Sequence, residues 1–241
     1  MTTTVDSACY VFGIVPAGAA VPDCDGPGPA SGLRLVTDGD LAALVGSLPT
    51  GRSLGRASDL LAHDEVVARV VAARTPVLPM RFGAVLRDEE AVAAELLREH
   101  HDEFSAALER VRDRVQYTVK ARYRERVVLR EILAEHPELE RLRGVESFEA
   151  RLRLGELIVA ALAARRPHDA STLLAEIGAF EEIRIVEPAE PDDVLTAALL
   201  IGQREAGRFE RQIAELARVH AERLRIKLIG PTAAYDFVAR S

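Results

Sequence analysis

Three short constellations in this chain hold side chains capable of catalysis or ligation. The first, Gly51-Arg52-Ser53-Leu54-Gly55, matches the G-x-S-x-G nucleophile elbow. An elbow exposes its serine at a sharp turn, so a strand must end directly before it and a helix must start directly after it. Here "PT" separates the motif from the preceding strand-like run, and helical periodicity begins only near Ser58. A surface turn is the favoured reading, with a serine esterase centred on Ser53 as the enzymatic alternative. The second constellation is metal-like on paper: "HDE" at His63 and "HHDE" at His100 and His101. Neither is H-E-x-x-H, and no second cluster sits at a matched helical offset, so solvated helix positions explain them better than a zinc site. The third is "KARYRER", Lys120 to Arg126, which puts cations on one face of a strand. Single-stranded nucleic acid is bound by stacking bases on aromatics of the exposed face, but Tyr117 and Tyr123 share the apolar face instead. "GPGPASG" lacks the Lys-Ser/Thr end of a phosphate loop. No catalytic residue, metal or cofactor is expected.

Composition narrows the classes further. The 241 residues suit one large or two small domains, and 48% hydrophobic content is ample for packed cores. Net charge is −7, and Lys120 and Lys227 are the only lysines, so arginine supplies nearly all the positive charge. An acidic chain is a poor general binder of nucleic acid. Cys9 and Cys24 form no C-x-x-C pair and no zinc pattern, which favours a reducing compartment over a Cys9–Cys24 disulfide. "MTTTVDSACYVFGIV" has no basic start, and no run reaches membrane-spanning length. A soluble cytoplasmic protein is expected.

Hydrophobic periodicity supplies the scaffold for these residues. "ACYVFGIV" is a short apolar run ended by Pro16, a buried strand, and a glycine- and proline-rich loop comes next. "LRLVTDGDLAALVGSLP" reads as two strands around "DGD", although its second half would also suit a helix capped by Asp40. "SDLLAHDEVVARVVAA" is helical, with Leu60, Val67, Val70 and Val71 on one face and Ser58 or Asp59 as cap. "VLPMRF" reads as a strand whose Pro79 needs an edge or a bulge. Asp88 caps a further helix with the stripe Val92, Leu96, Phe104, Leu108 and Val111. "VQYTVKARYR" alternates cleanly, with Val115, Tyr117, Val119, Ala121 and Tyr123 on one face and Gln116, Thr118, Lys120, Arg122 and Arg124 on the other. Apolar steps through Val145, Phe148, Leu152, Gly155, Val159 and Leu162 resemble a short coiled-coil seam. Such a seam more often packs inside its own molecule than on a partner. "EIRIVE", "VLTAALLI", a helix bearing Phe209, Ile213, Leu216 and Val219, and "RIKLIG" complete the chain.

A weak repeat links the halves. "LRLVTDGDLAALVG" parallels "IRIVEPAEPDDVLTAALLIG", and each is succeeded by a helix and a strand. The second copy has the β-α-β-β-α-β order of ferredoxin-like folds; in the first, the glycine-proline loop replaces the first helix. The expected class is α+β with two domains, each an antiparallel sheet with one face covered by helices, and the second modified by extra helices. The boundary is placed near Arg112: residues 1–112 form an N-terminal domain with a linking helix, and 113–241 a C-terminal ferredoxin-like domain with its tail.

"PVLPMRFGAVLRDEEAV", from Pro76 to Val92, closely resembles the central signature of the gas vesicle GvpL/GvpF family. "YVFGIVPAG", "GDLAALVGSLP", "RLRLGELIVAAL" and "IKLIGPTAAYDFV" resemble further blocks, so the likeness spans the chain. The end departs from the pattern: members tend to have proline before the terminal tyrosine, where Ala233 and Ala234 stand here. The resemblance implies two α+β domains and an accessory or minor structural protein of gas vesicles without enzymatic activity. It also implies binding to other gas vesicle proteins, the main shell subunit and accessory proteins, and a place at the gas-facing side of the shell. Neither nucleic acid nor membrane lipid is an expected partner. Met80, Arg81, Phe82, Tyr235 and Phe237 are the candidate partner contacts. A small-ligand regulatory module is a third alternative, which would need a deep apolar pocket with converging polar groups.

Overall fold

The computed structural model describes residues 7–24, 26, 32–49, 53–137, 147–180 and 182–238. The chain divides into two compact units, residues 1–116 together with 231–241, and residues 117–230. The expected boundary at 112 kept the tail with the second half. Instead the tail clusters with the first unit, where Gln116 bonds Asp236.

In the first unit, β1 (Ser7–Pro16) lies between β3 (Leu41–Pro49) and the short β4 (Leu78–Pro79). β2 (Arg34–Asp38) borders β3, giving the order β2-β3-β1-β4, and β5 (Val85–Leu86) also pairs with β1. Asp40 therefore ends a hairpin turn and does not cap a helix. Leu41 to Val45 are all buried, as a continuous apolar run in a central strand should be. Helix α1 (Ala57–Ala72) packs Val66, Val67 and Val70 against Tyr10, Phe12 and Leu44. One covered face was expected. Yet Cys9, Val11, Ala43 and Val45, which point the other way, are buried too, and α3 (His101–Val111) also contacts β1 and β3.

Local chemistry departs from the expectation in three places. At the start of α1 the N-cap is Arg56, while Asp59 turns back to accept from the backbone N–H groups of Gly55 and Arg56. Leu60 is exposed, and Val66 takes its place in the core. Beyond β4 the expected strand "VLPMRF" stops after Pro79 and turns at Phe82–Gly83. Proline cannot donate to a ladder, and this strand sits at the sheet edge. Asp88 does cap the next helix, accepting from Ala91 N–H at 2.7 Å. That helix begins as α2 (Glu89–Ala91), widens to a π segment over Val92–Arg98 and breaks before α3. The extra residue in the wide turn rotates the helix face beyond it. As a result Leu97 is fully buried and Leu96 only half-buried.

The second sheet holds β6 (Arg114–Tyr123), β7 (Ile183–Val186), β8 (Asp193–Gly202) and β9 (Leu224–Thr232), in the order β7-β8-β6-β9. Numbered from its own first strand, this is the same order as in the first sheet, and it is the ferredoxin-like one. Helices α4 (Glu125–Glu135) and α5 (Phe148–Ile177) lie between β6 and β7, and α6 (Ala206–Val219) between β8 and β9. Val115, Tyr117, Val119, Ala121 and Tyr123 are all buried, as the alternation predicts. Phe209, Ile213 and Leu216 are buried on α6, while Val219 at its end is exposed. The coiled-coil-like seam behaves differently. Val145 lies outside the described residues, Leu162 is buried, and Phe148, Leu152 and Val159 are exposed. The core of the unit takes Ala150, with Leu154 and Ile158 half-buried, from another face of α5.

A salt-bridge network ties α4 and α5 to the start of β9. Arg223 donates two hydrogen bonds to Asp169, both at 2.9 Å, and reaches Glu131 at 3.0 Å. Arg165 donates to Glu131 at 2.9 Å and also pairs with Glu135. Tyr123 donates to Asp169, and the Arg223 guanidinium lies over the Tyr123 ring at 5.5 Å. Burial alone would raise the Asp169 carboxyl, but the bonds from Arg223 and Tyr123 outweigh it and hold Asp169 below the usual carboxylate range.

Candidate functional site

His63, expected as a solvated helix position, is 1% exposed and forms the centre of an aromatic node in the first unit. Its ring stacks on Phe12 at 5.6 Å and meets the edge of Phe82 at 5.9 Å. The Tyr10 hydroxyl lies 2.9 Å from His63 Nδ1 and accepts from the Gly83 N–H at 3.1 Å. Which of the two groups donates is set by the imidazole tautomer, because the phenol oxygen keeps both a proton and a second lone pair after accepting from Gly83. Nε2 faces the Tyr235 hydroxyl at 3.4 Å. Burial pushes the His63 imidazolium down, against the smaller opposing effects of Asp64 and of a backbone hydrogen bond at Met80, so the ring sits neutral.

The node joins three stretches far apart in sequence: β1, the turn after β4, and the C-terminal tail. Two glycines make this possible. A Cβ on Gly13 would lie 2.8 Å from the Leu78 carbonyl oxygen, so only glycine lets β4 approach β1 this closely. Gly83 has φ +92°, a left-handed conformation that turns the chain back toward β5. The tail is fixed by Gln116, which was expected to point away from the core but is buried. Its amide donates to Asp236 Oδ2 at 2.5 Å, and its carbonyl oxygen accepts from the Asp236 N–H at 3.0 Å. Ala233, Ala234 and Phe237 are buried, so the tail docks without the extra proline.

The sequence-derived contact residues thus separate by role. Arg81 is exposed at the tip of the turn, and no side-chain partner for it occurs among the described residues. Met80 and Phe82 are half-buried beside it. Tyr235 is 39% exposed with its hydroxyl turned inward to His63. Phe237 is buried at 3% exposure and anchors the tail, so in this conformation it is not offered to a partner. Sequence reasoning missed His63, Tyr10 and Gln116. The only signal for His63 was its place three residues before Val66, on the face that α1 buries.

The remaining candidates do not converge. Ser53 is exposed ahead of α1, Gly51 and Arg52 lie outside the described residues, and no hydrogen bond links Ser53 to a histidine among the described residues. His101 instead contacts Asp40 Oδ1 at 2.7 Å, in the β2–β3 turn. No group of three or more metal-ligating side chains occurs among the described residues. Tyr117 and Tyr123 are buried, while Arg122 pairs with Asp193 at 2.7 Å. Cys9 and Cys24 are not joined in a disulfide. No helix among the described residues is long and apolar enough to cross a membrane. Open grooves lie along α4 and α5, lined mainly by aliphatic side chains.

Comparison with known proteins supplies the family. Residues 8–239 match the family of gas vesicle synthesis proteins GvpL/GvpF. Gas vesicle protein F of Streptomyces sp. (strain CB03234) is 33% identical over 240 residues, covering 95% of this chain and 98% of the relative. Gas vesicle protein F of Dolichospermum flosaquae is 26% identical, covering 74% of this chain and 76% of its own. The crystal structure of GvpF from Anabaena sp. PCC7120 superposes with a TM-score of 0.79 at 24% identity, covering 98% of this chain and 99% of that one, which shows a shared fold. With a match spanning both units and the tail that closes the first, the chain belongs to the GvpL/GvpF family of gas vesicle synthesis proteins.

Proposed function

We propose that this chain acts in gas vesicle formation as a non-enzymatic assembly protein in the cytoplasm, binding other gas vesicle proteins at the surface around Arg81. The observation that carries this reading is the contrast within one turn. Gly83, Tyr10 and His63 hold the turn from inside, yet Arg81 at its tip has no partner among the described residues. A rigid backbone presenting a free guanidinium beside half-exposed Met80, Phe82 and Tyr235 has the make-up of an interface centre, where arginine and aromatics dominate binding. A gas-facing place on the shell fits the same apolar rim. The main shell subunit and the accessory proteins are the partners to test.

Arg81→Ala removes the guanidinium from an exposed position, so the fold should survive unchanged. Co-purification with each of the other gas vesicle proteins, followed by cross-link mapping, should show at least one partner lost or weakened about tenfold, a change of about 1.4 kcal/mol. Aggregation of the variant with undiminished binding per folded molecule would instead make Arg81 structural. Cross-links confined to the second unit would place the interface elsewhere.

A further inference from the structure

We propose that the exposed stripe Phe148, Leu152, Gly155 and Val159 of α5 pairs, parallel and in register, with the same stripe of a second copy of this chain. Phe148 is 79% exposed, Leu152 56% and Val159 49%. At about 100° per residue these four fall within a sector of about 60°. Ala150 and half-buried Leu154, which hold the helix to its own unit, lie on the far side. The helix therefore has two apolar faces; its own unit covers the second only from Leu162 onward, and among the described residues leaves Phe148, Leu152 and Val159 exposed. The unused face repeats in steps of four, three and four, the spacing that keeps a seam facing a partner helix.

A Cβ built on Gly155 meets nothing within 4 Å, so packing inside the molecule does not demand glycine there. Mid-helix glycine weakens a helix. At the centre of a helix–helix contact it lets two backbones approach. A shallow groove of about 560 Å³ runs along this stretch, lined by Leu152, Gly155, Glu156 and Val159 among others.

The flanking charges select the occupant. Arg151 borders the stripe on one side, and Glu149 and Glu156 border it on the other. When two copies lie parallel, the basic flank of each faces the acidic flank of the other, and Arg151 of one copy meets Glu156 of the other on both sides of the seam. An antiparallel pair would set Arg151 against Arg151 and Glu156 against Glu156. Glu156 is held at 3.2 Å by Arg153 of its own chain, an exposed pair that yields at little cost. The contact spans only about two heptads, so the dimer is weak and dissociates on dilution.

Sedimentation equilibrium of the full chain tests this, run as a concentration series up to about 200 µM, where a micromolar pair is populated. The wild type should show a monomer–dimer equilibrium. Leu152→Lys, at an exposed site that leaves the circular dichroism unchanged, should raise the dissociation constant at least about tenfold. Arg151→Glu and Glu156→Arg should each weaken the dimer, and the double exchange Arg151→Glu/Glu156→Arg should restore it. An antiparallel pair would answer to neither single exchange. A monomer at every concentration, a dimer indifferent to Leu152→Lys, or single exchanges without effect would each overturn the proposal.

Discussion

Between β1 and β2 the first unit has a glycine- and proline-rich connection; between β6 and β7 the second has, among the described residues, the helices α4 and α5, the latter 30 residues long. The strand order is the same on both sides of this difference. What changes is how the layers are held. In the second unit, helices carry arginines and carboxylates to the sheet end, and Arg223, Asp169, Glu131 and Arg165 lock them by charge. In the first, a neutral imidazole, two phenols and two phenylalanines gather β1, the signature turn and the tail by stacking and hydrogen bonding. One architecture can thus be closed by ions or by aromatics, depending on what the connection between its first two strands brings within reach.

The largest expected effect is on the ionic side. Asp169→Ala strands the Tyr123 hydroxyl and leaves Arg223 with Glu131 alone, which should cost the second unit about 2–3 kcal/mol. Because a chain of two units need not unfold in one step, hydrogen exchange resolved by segment is the right measurement. Amides of α5 and β9 should lose protection while those of β1 and α1 keep theirs. Equal loss in both would break the comparison.

On the aromatic side, His63→Phe keeps the ring but loses the links to Tyr10 and Tyr235, and should cost the first unit about 1–2 kcal/mol. Acid separates the two devices. The His63 pKa is depressed by burial, so below about pH 6.5 the unfolded chain takes up a proton that the folded ring refuses. The contribution of His63 is complete above that pH and lost as pH falls below it. Asp169 is held below the ordinary carboxylate range, so its contribution is complete above about pH 3.9 and disappears only in stronger acid. Between pH 7.5 and 5, about the range in which an ordinary histidine titrates, β1 and α1 should lose protection in the wild type but not in His63→Phe. A pH profile identical in both proteins would remove His63 from this account.

The smallest effect concerns the stripe that neither device uses. Gly155→Ala at low protein concentration should stabilise α5 by about 0.5–1 kcal/mol, since the new methyl meets open space. A destabilised helix would mean that something in the monomer already occupies that space.

Patterns with short reach were legible without coordinates. The alternation in β6, the Asp88 cap, the buried run of β3 and the shared strand order all stem from rules that act within one or two elements. The site was legible in part. The turn after Pro79 and the tail stood out as signature segments, but His63 read as one more polar residue on a helix. The two hydroxyls it meets, on Tyr10 and Tyr235, are 53 and 172 residues away. Gln116 failed for the same reason, because its partner Asp236 is 120 residues distant. The π segment was invisible because a one-residue change in helical register leaves the apolar pattern ambiguous between Leu96 and Leu97.

Class, strand order and family were all written in the chain, since hydrophobic period, turn chemistry and signature motifs are local and redundant. Three outcomes waited for the packed molecule: which of two apolar faces α5 buries, that a histidine is sealed under two tyrosines, and that the tail returns to the first unit. Those outcomes depend on which distant groups arrive at one place with matching donors, acceptors and shape, and no periodicity along the chain encodes such a meeting.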